Sequence, residues 1–172
     1  MTETQPSVSS VALKYGLMGA LASIVYSAIL LISGVNVSGW AGAIGYLILI
    51  AFMVLAMKEY KAQNYGYMSY GQGLGIGTLV ALAFGVLGGL FMFVYTSFVD
   101  TEYTSNLMDK QRIELEERGM SDEQIEQAIS MGESFSSPVM MIVWSIVGYL
   151  FIGFLLALIV AAVMKNKRPE FE

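Results

Sequence analysis

Three long stretches of this chain carry no charged side chain: Tyr15 to Met57, Ala62 to Val99 and Ser134 to Met164. Helices in a soluble protein turn a polar face to water, and apolar runs of this length leave no room for one. Crossing the ~30 Å hydrocarbon core of a bilayer takes about 20 apolar residues in a helix. The first stretch is long enough for two crossings. The second holds one long crossing with a polar approach, and the third holds one. Composition agrees, since 56% of the 172 residues are hydrophobic and 13% are charged, against roughly a quarter charged in a soluble domain.

Residues 1–10 are polar and rich in Ser and Thr, and read as a flexible tail. Residues 11–172 then form a single membrane domain with spans expected at about 11–32, 40–57, 73–98 and 139–164. A cleaved signal peptide would need a basic start and an apolar stretch of 7–15 residues. Lys14 is the one early positive charge, the apolar run is longer than that, and the Ala41-x-Ala43 pattern lies inside the next hydrophobic stretch. An uncleaved first span is therefore expected. Ser33 to Gly39 is a turn by composition. Lys58, Glu59 and Lys61 stop the second span, and Lys165, Lys167 and Arg168 follow the fourth. Pro138 suits the first turn of that last helix. The expected fold class is all-α: an integral-membrane four-helix transmembrane bundle with an extramembrane helical hairpin between spans three and four.

Orientation follows from Lys and Arg near the span ends. With both termini cytoplasmic, that side holds Lys14, Lys58, Lys61, Lys165, Lys167 and Arg168, and the other side holds Lys110, Arg112 and Arg118. The bias favours both termini inside, in a bacterial inner (cytoplasmic) membrane. Trp40 and Trp144 then lie near the outer interface, where indole rings prefer to sit.

The insert at 100–138 holds ten of the fourteen acidic residues. Lys110/Glu114, Arg112/Glu116 and Glu114/Arg118 are i,i+4 pairs of opposite charge on a first helix. Gly119 suits the left-handed position that ends it. Ser121 to Gln124 fits a capping box that opens a second, with Met120 and Ile125 spaced as a hydrophobic staple. Asp122 and Glu123 fall where the helix dipole favours acid. Ile125, Ala128 and Ile129 form an apolar stripe that needs a cover. Leu107 and Ile113 on the preceding helix, or a second protein, are the expected partners. Glu114/Glu117 and Glu123/Glu126 could be imagined as a di-metal set. Such sites in helical bundles also draw on His, so a solvated acidic face is the better reading.

In the third span Gly73, Gly77, Ala81, Gly85 and Gly89 recur every four residues. They make a strip without bulk against which another helix can lie closely. Shorter ladders occur at Gly19, Ser23, Ser27 and at Gly153, Ala157, Ala161. Packing among the four spans is favoured over a homo-oligomer seam, although both use the same physics. The twelve methionines read as adaptable packing.

The chain has no Cys and no His. That removes thiolate and imidazole chemistry and the usual zinc ligands. Gly71-Gln72-Gly73 follows no strand, and no P-loop lysine comes after it, so it is not a nucleotide loop. Ser69 sits in G-x-x-S-x-G rather than in a nucleophile elbow, and no His is available for a triad. Tyr60, Tyr65, Tyr67 and Tyr70 cluster at the inner boundary of the membrane and fit an interfacial belt better than a lipid or partner site with Asn64 and Gln72. No Asp, Glu, Lys or Arg stands inside a span, whereas ion- and proton-coupled transporters bury such groups. Lys14 lies near a span end and can snorkel.

Gly66-Tyr67-Met68-Ser69-Tyr70-Gly71-Gln72-Gly73, the insert sequence Arg118-Gly119-Met120-Ser121-Asp122-Glu123-Gln124-Ile125-Glu126, and Ser136-Ser137-Pro138 before a final span with a basic tail together resemble a bacterial four-span membrane family, domain of unknown function 4199. The resemblance covers about Val11 to Lys167. It implies the four-span architecture and brings no activity, cofactor or site residue. The expected function is non-enzymatic: a small structural or partner-binding membrane subunit that presents an outer acidic hairpin. The alternative is a passive channel or transporter component, whose polar path would use Ser23, Ser27, Thr78 or Ser145. The expected partners are the lipid bilayer, a membrane or periplasmic protein, or further copies of the chain. No cofactor, metal or nucleic acid is expected.

Overall fold

The computed structural model describes residues 7–34 and 40–167, with no side-chain description at 134. The Ser33–Gly39 turn and the tail expected at 1–10 lie partly outside the described residues; of that tail, Val8, Ser9 and Ser10 are already helical. Six α-helices follow in order: α1 Val8–Ile32, α2 Trp40–Gln63, α3 Tyr70–Val94, α4 Tyr103–Glu117, α5 Asp122–Phe135 and α6 Pro138–Met164. The fold is all-α, and α1, α2, α3 and α6 are each long and apolar enough to cross a membrane. The two shorter helices lie between spans three and four.

Helix ends follow local chemistry. Helix α1 begins before its apolar run because the Ser7 hydroxyl accepts from the Ser10 N–H at 3.3 Å, which satisfies one orphan donor of the first turn. Helix α2 continues past Lys58 to Gln63. Helix α3 starts at Tyr70, capped by Ser69. A five-residue π-turn, Tyr95–Val99, extends it.

The chain forms two compact units, residues 1–88 with 146–172, and residues 89–145. In the first, α1, α2, most of α3 and most of α6 surround a core led by Leu49, Met53, Met57, Tyr60, Met68, Ile76, Val80 and Phe84. The α2 contributors recur at helical spacing, so one face of α2 is inside. Helix α1 sorts by size. Apart from Val11, its buried residues are the small Ala12, Gly16, Gly19, Ala20 and Ser23, while Leu13, Leu17, Leu21, Val25 and Ile29, every fourth residue, are exposed. Helix α6 repeats the pattern, with Gly153, Ala157 and Ala161 inside and Val147, Phe151, Leu155, Ile159 and Val163 outside. Small residues inside and large hydrophobic residues outside reverse the order of a soluble protein. They match helices packed closely in lipid.

In the second unit α4 and α5 pack against each other. Helix α4 ends in a Schellman motif: Gly119 N–H donates to the Glu116 carbonyl at 2.9 Å, and Met120 N–H to the Leu115 carbonyl at 3.2 Å. Gly119 has φ +74°, a left-handed conformation that glycine adopts without a steric penalty. Helix α5 opens with the Ser121/Gln124 capping box, in which Ser121 N–H donates to Gln124 Oε1 at 3.2 Å.

Candidate functional site: the helix seam, the clasped end and the hairpin

The five small residues of α3 are all buried. A Cβ added at Gly73 would meet Ala161 Cβ at 3.0 Å, and one at Gly77 would meet Ala157 Cβ at 2.5 Å. A Cβ at Gly153 would collide with that of Ala81. Each step of four forward along α3 is matched by a step of four backward along α6, so the two ladders face each other in one antiparallel register. Within the second unit a Cβ at Gly89 would meet the Ile142 Cα at 2.9 Å and Ser145 Cβ at 3.2 Å. The α1 ladder is partly engaged as well: a Cβ at Gly19 would lie 2.6 Å from the Phe52 ring and 2.7 Å from that of Phe84.

Two of the hydroxyls that a polar path would use, Thr78 and Ser23, make hydrogen bonds within the bundle. Thr78 Oγ1 donates to the Leu74 carbonyl of its own helix at 2.8 Å. Ser23 is buried and shares a hydrogen bond with Tyr149, whose ring stands 5.9 Å from that of Phe84. Tyr26 donates to the Ala41 carbonyl at 2.8 Å. Ser27 and Ser145 are half-buried.

At the end of the first unit that carries the start of α1 and the close of α6, the α2–α3 connection is clasped to the last residues of the span. Met68 and Asn166 exchange main-chain hydrogen bonds at 2.8 and 2.9 Å. Asn166 Nδ2 donates to the Gly66 carbonyl at 3.0 Å. Lys61 Nζ donates to the Met164 carbonyl at 3.2 Å, supplying a cation to a helix C-terminus where carbonyls lack partners. Ser69 and Gln72 form a reciprocal capping box, with Ser69 N–H donating to Gln72 Oε1 at 2.8 Å and Gln72 N–H to Ser69 Oγ at 3.2 Å. Met68 is fully buried. The Gly66–Gly73 sequence thus supplies a left-handed glycine (φ +86°), a core plug, a cap and a close approach. In the sequence Lys61 reads as a stop and an inner-side charge rather than as a cap, and the S-x-x-Q at Ser69–Gln72 goes unread, although the signal is the one recognised at Ser121. Asn166 carried no local signal. Lys14 Nζ lies 3.7 Å from Glu59 Oε1 and 5.2 Å from the Tyr15 ring centre.

In the hairpin Ile125 and Ile129 are buried and Ala128 is half-buried, whereas Leu107 and Ile113 are about half exposed. Met108 and Leu115 of α4 are the more covered apolar residues. Glu114 and Arg118 approach to 4.0 Å with both side chains largely exposed, a pair of small energetic weight. Glu114, Glu117, Glu123 and Glu126 are exposed. Tyr95 links the π-turn to α4 by an edge-on contact with Tyr103 at 5.9 Å. Burial, then the neighbouring Tyr95 and Asp100, push the Tyr103 hydroxyl above its ordinary pKa.

Four apolar helices with at most 39% of any span's window buried inside the protein define a multi-pass membrane protein, because lipid must cover what the bundle does not. The chain belongs to the family described as a protein of unknown function (DUF4199), whose family model matches residues 14–166. No curated protein and no solved structure matches the chain.

Proposed function

We propose that the chain is a non-enzymatic subunit of the bacterial inner membrane, with both termini cytoplasmic, whose bundle anchors the acidic α4–α5 hairpin for a membrane or periplasmic partner. The observation that carries this reading is the largely apolar core of the first unit. Its core is Met, Leu, Ile, Val, Ala and Phe with the single tyrosine Tyr60, and Ser23, Tyr26 and Thr78 are spent on bonds within the bundle. Solute passage needs a continuous polar lining. An anchor needs close packing, which the facing ladders of α3 and α6 supply. The hairpin has the features of a presented surface, with its own caps, exposed acids and exposed apolar residues such as Met131 and Phe135.

Two measurements test the proposal. Chain reconstituted in liposomes should give solute and ion flux no greater than empty liposomes, and flux above that level would favour a passive path. Capture in mild detergent, with mass spectrometry, should recover a partner with the native chain. That partner should be lost when residues 103–135 are replaced by a Gly/Ser linker. Equal recovery by both chains would remove the hairpin from the interaction.

A further inference from the structure

Helix α5 has an apolar arc of which the hairpin covers only part. Ile125 and Ile129 are buried, whereas Met131 and Phe135, which flank them on the same arc, are exposed. Asp122, Glu126 and Glu133 fall on the other side of the helix, about 140–180° round its axis from Met131 and Phe135. Glu123 is nearer to them in angle but stands in the first turn, about 18 Å along the axis from Phe135.

What lies against the bare part follows from the next helix. Only Ser136 and Ser137 separate α5 from α6, and the Phe135 ring stands edge-on to that of Trp144 at 5.9 Å. Trp144 is the seventh residue of α6, which has 27. About 20 residues cross the hydrocarbon core, so at most about seven of α6 lie beyond it. If all seven stood at this end, Trp144 would be the last before the hydrocarbon. Any residue left over at the other end carries it deeper, and so does any tilt of the helix. Trp144 is exposed on that span, so lipid surrounds it, at a boundary that indole rings favour. Phe135 packs on Trp144 and meets the same lipid. Met131 is one turn back on the same side of α5, about 6 Å along its axis, a distance comparable with the depth of the headgroup layer. We propose that the C-terminal half of α5 rests on the bilayer, with Met131 and Phe135 in the headgroup layer and the acid face turned to water. This contact needs only the spans. It holds for either orientation and with no protein partner bound, and it narrows the surface left for such a partner to the acid face of the hairpin.

Nitroxide labels test this on the purified chain in phosphatidylcholine nanodiscs, which leave both faces of the bilayer open to solvent. The chain has no cysteine of its own, so Met131→Cys, Phe135→Cys, Asp122→Cys and Glu126→Cys each carry one label. The label at Met131 leaves the Phe135–Trp144 contact in place. Collisions with oxygen, which concentrates among acyl chains, are compared with collisions with a nickel chelate, which stays in water. The oxygen-to-nickel ratio should be several-fold higher at Met131 and Phe135 than at Asp122 and Glu126. Equal ratios at all four positions would mean that the hairpin stands clear of the bilayer. A ratio raised at Phe135 alone would reduce the contact to the end of the helix. Exclusion of both reagents from Met131 and Phe135 would mean that a second copy of the chain covers them. Any of these three results overturns the proposal.

Discussion

A single methyl group separates tolerated from excluded side chains along α3 and α6. Nothing lies within 4 Å of a Cβ built at Gly148, whereas one at Gly77 would stand 2.5 Å from Ala157 Cβ and 3.3 Å from its Cα. Gly77→Leu should therefore push the two helices apart and cost about 1–3 kcal/mol, read as a lower thermal midpoint in detergent. Gly148→Ala should be neutral or gain up to about 1 kcal/mol through helix propensity. Leu79→Ile, at a 37% exposed position, should change little. Equal midpoints for Gly77→Leu and Gly148→Ala would mean that the seam does not hold the bundle together. Tyr65 is a second informative residue. It is the described non-glycine with positive φ, +53°, where a Cβ costs roughly 1–2 kcal/mol. Tyr65→Gly should raise the midpoint, and a fall would show that the exposed ring contributes more than its backbone strain costs.

At the scale of elements, two connections are written into short sequences. The α4–α5 turn combines a Schellman glycine with a capping box, and both were readable because each uses residues within five positions of one another. Ser121→Ala should cost about 1 kcal/mol of local stability by losing the cap, seen as faster hydrogen exchange across residues 122–130. Unchanged exchange would mean that burial of Ile125 and Ile129, rather than the cap, sets the helix start. The α2–α3 connection uses the same device at Ser69 and Gln72 but adds long-range bonds to Asn166 and Met164. The cap lay in the sequence unread. The clasp could not be read there, because its partners are a hundred residues apart and amide side chains carry no signal of whom they will meet.

For the whole molecule, topology is the prediction with most at stake. Six of the nine Lys and Arg lie on the proposed cytoplasmic side, so a thiol reagent that cannot cross the membrane should label Ser121→Cys and spare Lys167→Cys in intact cells. The chain has no cysteine of its own, so the labelling is unambiguous, and the reverse pattern would invert the orientation. The number of spans, their approximate limits, the insert between the last two and the helical hairpin within it were set by the sequence alone. They follow from charge-free length and from caps, which are local properties of the chain. The small-residue strip on α3 was equally visible. Which helix would meet it was not, because a strip without bulk suits any close neighbour, and only the assembled bundle pairs Gly73, Gly77 and Ala81 with Ala161, Ala157 and Gly153. The contact between Phe135 and Trp144 belongs wholly to tertiary structure. Phe135 looks like part of a polar insert in sequence, and it reaches the span only because the angle between α5 and α6 brings the two rings together.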